Sequence, residues 1–315
     1  MKIVVLGAGA MGSIYAALMA DAGNEVWIID PWQQHTDAIR NQGLRVEGAS
    51  GDRTVRTIKV AASIEEIVTA DLFIIATKAA AVGEAAKTLL PVLSADSIVL
   101  TIQNGLGSGE RIAAHLPVGQ VLLGVAEGFG ASVKKPGHVQ HTAMKMIRIG
   151  SIADSGDTRP EMIAGVWRNA GFNAEAYTDI EQLIWEKFIC NVAYSAPCTV
   201  FDKSVAQLLE DPHATKISQT CAVEAWQVAV AKKVNLTFTD PIEYVTAFGR
   251  KVGNARPSLL LDHMAKRPSE IDAINGMVPV VASEQGLAAP FNEVLSGIVR
   301  SREAEWKTGR SRSAI

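Results

Sequence analysis

The sequence predicts an α/β fold: a doubly wound parallel sheet in the N-terminal half, followed by an all-α C-terminal domain. Three observations support this prediction. Short apolar runs alternate with helical patterns in the first half, as in a parallel sheet covered by helices. A glycine-rich turn follows the first apolar run, and long helical segments begin at Asp179. We therefore expect one domain over residues 1–178 and a second over 179–315.

The elements of the first domain follow from the spacing of its apolar residues. Buried strands are predicted at IVVLG, EVWIID, DLFIIATKA and SIVLTIQNG. Helices are predicted at AMGSIYAALMADAG, HTDAIRNQG, SIEEIVTA and VGEAAKTLLPVL. Within the third of these helices, Ser63 and Glu66 have the spacing of a capping box. Residues 43–61 are predicted to form an extended segment with turns, and residues 121–152 to form strands and turns that complete the sheet.

The second domain is predicted as a series of helices, and the cleft between the domains is the default substrate site. A helix in the segment SLLLDHMAKR should end before Pro268, and Glu270 should fall in the first turn of the next helix. The long apolar helices make a homodimer plausible. The predicted helices are DIEQLIWEKFICNVAYSAPCTVF, ATKISQTCAVEAWQVAVAKKV, DPIEYVTAFGRKVG, SLLLDHMAKR, SEIDAINGMVPVVASEQG and FNEVLSGIVRSREAEW.

Composition and charge exclude several classes of function. The formal net charge of -3 gives no electrostatic reason to expect nucleic acid or an anionic membrane as a partner. No apolar run approaches the roughly 20 residues that span a bilayer. The start, Met1-Lys2-Ile3, leads directly into a strand pattern, so we expect a cytoplasmic protein. The three cysteines form no CxxC pair, and His138 and His141 should face opposite sides of a strand, so no metal site is expected.

The stretch Gly7-Ala8-Gly9-Ala10-Met11-Gly12 matches the pattern G-x-G-x-x-G between a predicted strand and a predicted helix. Such a turn holds a pyrophosphate against a helix N-terminus, as in a Rossmann-type domain. Asp30 ends the next strand, 30 − 12 = 18 positions after Gly12, close to the spacing of an acid that binds the adenosine ribose. The 2′-phosphate that distinguishes NADP from NAD would bring a second negative charge next to Asp30. We therefore expect NAD, with NADP as the alternative.

Other candidate residues also lie just past predicted strands. Right-handed crossovers bring the carboxyl ends of parallel strands to one edge of the sheet. Gly7, Asp30, Lys78 and Asn104 should therefore converge at that edge, and Thr77, next to Lys78, is a further candidate for cofactor binding. An asparagine before glycine is also an ordinary turn former, so Asn104 has a second interpretation.

In the second half, Lys187, Asn191 and Ser195 follow at intervals of four and should share one helical face. A lysine there could polarise a keto oxygen and deliver a proton, or it could be a solvated surface charge. Ser195 could bind substrate, or its hydroxyl could bond a backbone carbonyl one turn back. Arg256 could clamp a carboxylate or lie at the surface. Glu270 could instead complement the dipole of its helix.

Taken in order, the motifs ATKA, TIQNGLG, IWEKFICNVAYSAP and RPSLLLDHMAKRPSEIDAING resemble those of the ketopantoate reductase family, which includes a helical C-terminal domain like that of 6-phosphogluconate dehydrogenase. The resemblance implies an oxidoreductase that reduces a 2-keto acid, first of all ketopantoate, with a nicotinamide cofactor. It implies a general acid at Lys187, active-site roles for Asn104 and Glu270, and binding of the substrate carboxylate at Ser258. It also places Asn104 and Lys78 beside the cofactor.

The sequence departs from the family pattern at several positions. Ser195 stands where the family has a second helical asparagine, and Asp30 stands where NADPH-using members typically have arginine. Ala255, Arg256 and Pro257 precede Ser258, where small polar residues are frequent. These departures keep open an NAD-dependent dehydrogenase of a different 2-hydroxy acid. A non-catalytic dinucleotide sensor is the third interpretation.

Overall fold

The computed structural model describes residues 1–153 and 156–307. The chain divides into two compact units, each with its own apolar core. The first contains Met1–Gln103 and Gly107–Ile180, and the second contains Asn104–Leu106 and the described residues from Glu181 onwards. Apart from the loop Asn104–Leu106, the boundary between the two units lies after Ile180, two residues beyond the boundary predicted at 178. The short loop Asn104–Leu106 was expected in the first domain and instead clusters with the second unit.

An eight-stranded sheet forms the centre of the first unit, with the strand order β12-β11-β8-β7-β6-β1-β2-β5. All neighbouring strands are parallel except β11 and β8, which are antiparallel. This arrangement confirms the predicted parallel sheet. The strands are β1 (Lys2–Leu6), β2 (Glu25–Ile29), β3 (Leu44–Gly48), β4 (Arg53–Val55), β5 (Lys59–Val60), β6 (Leu72–Ile75), β7 (Ile98–Thr101), β8 (Val121–Glu127), β9 (Gly130–Lys135), β10 (His138–Ala143), β11 (Met146–Ser151) and β12 (Ala174–Ala176).

A second sheet of four strands, in the order β4-β3-β10-β9, corrects the prediction for residues 121–152. Only β8 and β11 join the main sheet. Helix α1 (Ala10–Asp21) contacts β1 and β2 of the main sheet as well as all four strands of the second. Every residue from Gly12 to Ala20 is consequently buried. A helix that is apolar on all sides needs cover on all sides, and the second sheet supplies it.

The other helices of the first unit are shorter than α1. Helix α2 ends where predicted, at Gly43, whose φ of +83° favours glycine. The predicted helix over residues 63–70 is wrong: only a 3-10 turn forms, Ser63 makes no capping hydrogen bond, and the Glu66 carboxylate accepts from the Ala62 N–H at 2.9 Å. The helices are α2 (Gln33–Gln42), α3 (Val82–Thr88), α4 (Ser108–Ala113) and α5 (Arg159–Asn169), with 3-10 turns at Ile64–Glu66, Ala79–Ala81 and Val118–Gln120.

The second unit is helical, as predicted. The segment SEIDAINGMVPVVASEQG was expected to be one helix, but it forms a 3-10 turn at Ile271–Ala273 and then a separate helix. Glu270 therefore precedes a 3-10 turn and caps no helix with its side chain. The helices are α6 (Ile180–Phe201), α7 (Val205–Glu210), α8 (Pro212–Ala231), α9 (Pro241–Val252), α10 (Ser258–Met264), α11 (Met277–Glu284) and α12 (Pro290–Lys307).

Three of these helices begin at side chains that accept from the first-turn N–H groups, which have no partner within the helix. Ser204 and Gln207 form a capping box on α7. Asp211 caps α8 and Asp240 caps α9, and each is followed by proline at the first helical position. Among the described residues, no helix is both long and apolar enough to cross a membrane.

Candidate functional site

The glycines of the first loop have three different environments. Gly7 has a φ of +96°, and a Cβ there would lie 2.9 Å from the backbone of Ala76. A Cβ on Gly12 would lie 1.9 Å from the carbonyl oxygen of Gly7. A Cβ on Gly9 would meet nothing within 4 Å. The first and third glycines are thus required by the fold, whereas the second faces open space where a pyrophosphate could approach the backbone.

Gly9 is also the N-cap of α1 and has no side chain that could accept from the first turn of the helix. That turn contains no acidic residue. Its N–H groups and the positive end of the helix dipole therefore remain available to an anion. The loop fits the diphosphate of a dinucleotide, and Gly7 to Gly12 are the residues that would hold it.

Asp30 is tied directly to this loop. It follows β2 and is half-buried. Its Oδ2 accepts from the Ala8 N–H at 2.6 Å, and its Oδ1 accepts from the Trp32 N–H at 2.8 Å. Each oxygen keeps a second lone pair, so the carboxylate is oriented and can still accept from ribose hydroxyls.

Thr77 and Lys78 follow β6, and the loop that contains them is fixed by a residue that we did not predict. Gln103 donates from Nε2 to the carbonyl oxygens of Ile75 at 2.8 Å and Thr77 at 3.1 Å. The backbone of Thr77 also lies against Gly7. The structure thus brings Gly7, Asp30 and Thr77 together in the first unit. The hydroxyl of Thr77 is buried and has no hydrogen-bond partner among the residues that the structure describes, so it can serve a bound group.

In the second unit, Lys187, Asn191 and Ser195 all lie on α6. Lys187 and Asn191 are half-buried, whereas Ser195 is buried. The neighbouring Glu186 accepts from the N–H of Thr237 at 2.8 Å and from its hydroxyl at 2.6 Å. These bonds fix the first half of α6 to the chain beyond α8.

The second half of α6 is interrupted by a buried amide. Asn275 accepts from the Ala196 N–H at 3.1 Å and donates to the Val192 carbonyl at 2.8 Å. A side chain therefore stands between two groups that would otherwise bond each other, and such an insertion bends a helix. Pro197 removes the next N–H of the ladder, and the Ser218 hydroxyl donates to the freed Ala193 carbonyl at 2.6 Å.

Asn104 belongs to a loop that docks on the segment after Glu270. The N–H of Leu106 donates to the Ala273 carbonyl at 3.0 Å, and a Cβ on Gly105 would lie 2.0 Å from that same oxygen. The N–H of Ala273 donates to the Glu270 carbonyl at 3.0 Å. The segment Glu270–Asn275 is therefore hydrogen-bonded both to the Asn104 loop and, through Asn275, to the Lys187 helix.

The residues before Glu270 are held by two carboxylates. Asp262 accepts from Arg267 Nη2 at 2.9 Å. Glu303 on α12 accepts from the Ser269 N–H at 3.0 Å and from its hydroxyl at 2.5 Å, and its Oε1 lies 3.1 Å from His263 Nε2. These bonds fix the backbone immediately before the predicted active-site acid.

Arg256 and Ser258 remain at the surface of the second unit. Both are exposed, and Arg256 Nη1 lies 3.4 Å from the sulfur of Met264. Their predicted contact with a substrate carboxylate stays a prediction.

Sequence reasoning missed the residues that hold the site together, chiefly Gln103 and Asn275. Both stand inside quoted motifs, TIQNGLG and SEIDAING. The available signal for Gln103 was its position next to the predicted site residue Asn104. The backbone partners of Gln103 and Asn275 could not be predicted, because they lie far away in the chain.

Both halves of the chain match models of one protein family. The model described as Ketopantoate reductase PanE/ApbA matches residues 3–154, and the one described as Ketopantoate reductase PanE/ApbA C terminal matches residues 179–303. The chain is 26% identical over 300 residues to the 2-dehydropantoate 2-reductase of Halobacterium salinarum, covering 95% of this chain and 98% of that relative.

Two solved structures show the same fold. The ternary structure of D-mandelate dehydrogenase with NADH and anilino(oxo)acetate has a TM-score of 0.89 and 26% identity, covering 98% of this chain and 99% of its own. A PanE/ApbA family ketopantoate reductase from Ralstonia eutropha has a TM-score of 0.88 and 27% identity, covering 98% of this chain and 100% of its own.

Proposed function

Because the chain belongs to the ketopantoate reductase family of nicotinamide-dependent oxidoreductases, we propose that it transfers a hydride between NAD and a 2-keto or 2-hydroxy acid, with ketopantoate as the first expected substrate. One observation carries the proposal: the segment Glu270–Asn275 is hydrogen-bonded to the Asn104 loop and to the Lys187 helix. Three predicted catalytic residues are thereby linked within the second unit.

The first unit holds the cofactor. The open backbone at Gly9 and the N-terminus of α1 bind the diphosphate, and Asp30 accepts from the adenosine ribose. Thr77 and Lys78 border the nicotinamide half. A nicotinamide bound here supplies or accepts the hydride.

NAD is favoured over NADP by charge. A 2′-phosphate would place like charge beside Asp30, at a cost that only a nearby cation could offset. Arg40, the first arginine after Asp30 in the sequence, is ion-paired with Asp37 at 2.6 Å. The similar D-mandelate dehydrogenase structure contains NADH, which also supports NAD.

Lys187 is the general acid of the proposal. Its ammonium polarises the keto oxygen and delivers a proton as the alkoxide develops. Asn191, one turn further along α6, hydrogen-bonds the substrate, and Ser195 lines the same face one turn beyond it. Glu270 completes the active site, and Asn104 orients the nicotinamide or its ribose. Ser258, with Arg256, binds the substrate carboxylate.

A different 2-hydroxy acid is the second candidate substrate. Ser195 stands where the family pattern has asparagine, and a shorter side chain leaves room for a different substrate. The similar structure of D-mandelate dehydrogenase was solved with anilino(oxo)acetate, a carboxylate next to a carbonyl that bears an aromatic group. An aromatic 2-keto acid is therefore the most informative competitor of ketopantoate.

Steady-state kinetics tests the function directly. The purified protein is assayed with ketopantoate, phenylglyoxylate and 2-ketoisovalerate, each with NADH and with NADPH. We expect at least one of the three acids to be reduced. The acid with the highest kcat/KM then identifies the class of substrate. If NAD⁺ binds but none of the acids is reduced, a dinucleotide sensor replaces the enzyme.

We also propose a homodimer, formed through α12. Phe291, Val294 and Ile298 are spaced by three and four residues, and all are exposed. Such an apolar stripe is typical of a helix that packs against a partner. Sedimentation of the wild type and of Val294→Glu tests this proposal: the variant should be monomeric, and a wild type that sediments as a monomer contradicts it.

A further inference from the structure

A fully buried histidine lies behind the diphosphate loop. His35 is in the first turn of α2 and is 0% exposed. Its Nδ1 accepts from the Gly137 N–H at 3.2 Å, in the turn between β9 and β10. Its Nε2 lies 3.1 Å from the Ser13 hydroxyl oxygen, which lies 2.8 Å from the carbonyl oxygen of Ala8.

The direction of each hydrogen bond in this chain follows from the groups themselves. A backbone N–H can only donate, so Nδ1 of His35 carries no hydrogen. A carbonyl can only accept, so the single hydroxyl hydrogen of Ser13 points at Ala8. The Ser13 oxygen must then accept from Nε2–H. The imidazole is therefore neutral and in its Nε2–H form.

His35 also contacts Trp32, which is hydrogen-bonded to Asp30. Its ring stacks on the indole of Trp32, with centroids 4.9 Å apart and planes 16° apart. The N–H of Trp32 donates to Asp30, whose other oxygen accepts from Ala8. One imidazole is thus linked through Ser13 to Ala8 and through Trp32 to Asp30, the residues that the proposed function assigns to diphosphate and ribose.

We infer that neutral His35 is a positioning residue for dinucleotide binding, which holds the Ala8 peptide and Trp32 in place and makes the affinity of this site sensitive to pH. The inference rests on the proposed cofactor site. His35 does not touch the cofactor, and it acts through Ser13 and Trp32. Adding a proton at Nδ1 would set two donors, Nδ1–H and the Gly137 N–H, against each other.

The surroundings of His35 favour the neutral form. Burial lowers the pKa of the imidazole below its ordinary value, and the carboxylate of Asp30 partly opposes that effect. The groups that contact the ring from α1, from the β9–β10 turn and from the loop before α2 are Ser13, Gly137 and Trp32, and none of them is charged. Loss of affinity is therefore expected below the usual pKa of histidine.

Calorimetric titration of NAD⁺ at pH 5.5 to 8 provides the test, because it needs neither substrate nor turnover. For the wild type we expect a constant Kd at high pH and a Kd that rises severalfold as the pH falls. His35→Leu should raise the Kd about tenfold at pH 7.5, and Ser13→Ala severalfold. In His35→Gln, the amide can accept from Gly137 and donate to Ser13, so binding should be nearly normal and should lose the pH dependence that His35 causes.

His141 provides a matched control. It is buried in the same unit, its pKa is also lowered by burial, and its Nδ1 lies 3.0 Å from the Ser50 hydroxyl. His141→Gln should leave both the Kd and its pH dependence unchanged. If His35→Leu and Ser13→Ala bind NAD⁺ like the wild type, or if His141→Gln weakens binding as much as His35→Leu, the positioning role is wrong. If the wild type binds neither NAD⁺ nor NADP⁺, the proposed cofactor site itself fails.

Discussion

The Oδ2 atom of Asp30 lies 2.6 Å from the backbone nitrogen of Ala8, so the acid that follows β2 is hydrogen-bonded to the loop that precedes α1. This bond orients the carboxylate and brings a negative charge beside the loop. In the proposed function, this contact couples binding of the diphosphate to the choice between NAD and NADP. Substitution of Asp30 should change cofactor preference more than turnover.

Asp30→Arg should lower kcat/KM for NADH about tenfold or more and should raise the preference for NADPH. Hydrogen bonds to a charged group contribute roughly 1.5–3 kcal/mol, and the new cation can pair with a 2′-phosphate. Asp30→Asn is the control of the same shape: it loses the charge and, because its amide has one acceptor oxygen, also one of the two backbone hydrogen bonds. Steady-state kinetics with one keto acid measures kcat/KM for NADH and for NADPH in the wild type and in both variants. A wild type that prefers NADPH by tenfold would contradict our interpretation of Asp30.

Lys187→Ala should reduce kcat on the order of 10²–10⁴-fold, the usual contribution of a general acid. The Kd for NAD⁺ should stay within about twofold, because Lys187 is assigned to the keto acid and not to the cofactor. Lys187→Arg keeps the charge but has a much higher pKa, so it should stay slow. Lys251, an exposed lysine on α9, is the control, and Lys251→Ala should be unaffected. Turnover within a few-fold of the wild type in Lys187→Ala would make Lys187 an ordinary surface residue.

Arg256→Ala and Ser258→Ala separate the two candidates for the carboxylate. A contact held equally in the ground state and the transition state raises KM when it is lost and leaves kcat nearly unchanged. Replacing the residue that binds the carboxylate should therefore raise KM for the keto acid about tenfold. Arg250→Ala controls for the loss of an exposed positive charge. An unchanged KM in both variants would place the carboxylate elsewhere.

Asn275→Ala should destabilise the second unit by about 2–6 kcal/mol. It leaves the buried Val192 carbonyl and Ala196 N–H without their side-chain partner, and each unsatisfied buried group costs roughly 1–3 kcal/mol. It also removes a bond to Asn292 Oδ1 at 2.8 Å. Urea unfolding of the wild type, of Asn275→Ala and of the exposed control Asn254→Ala measures the difference. A loss below about 1 kcal/mol would mean that α6 closes its own ladder when the amide is absent.

Much of the cofactor half could be predicted from the sequence because its signals are local. Gly7, Gly9 and Gly12 lie within six residues, and steric crowding explains why the first and third must be glycine. Asp30 was predicted from its place at the end of the second strand. The roles proposed for Lys187, Asn104 and Glu270 came from ordered motifs, and their chemistry awaits the kinetic tests.

Long-range contacts escaped prediction for a physical reason. Asn275 bonds Ala196 across 79 positions of the chain, and Gly137 bonds His35 across 102. Hydrophobic periodicity reports which side of an element is buried, but it does not report which backbone group a buried amide or imidazole will meet. The second sheet was missed in the same way, since α1 shows that it needs cover and does not show which strands provide it.

The sequence by itself determined the alternation of strands and helices in the first unit and the helical character of the second. It also determined the glycine loop, the position of Asp30 and the spacing of Lys187, Asn191 and Ser195, because each depends on neighbours within a few turns of backbone. The pairing of β3 and β4 with β9 and β10 came only with the folded chain, as did the docking of Asn104–Leu106 on Ala273 and the Asn275 amide inside α6. Each of these satisfies polar or apolar groups that their own segment leaves unpaired, and their partners become available only when distant parts of the chain pack together.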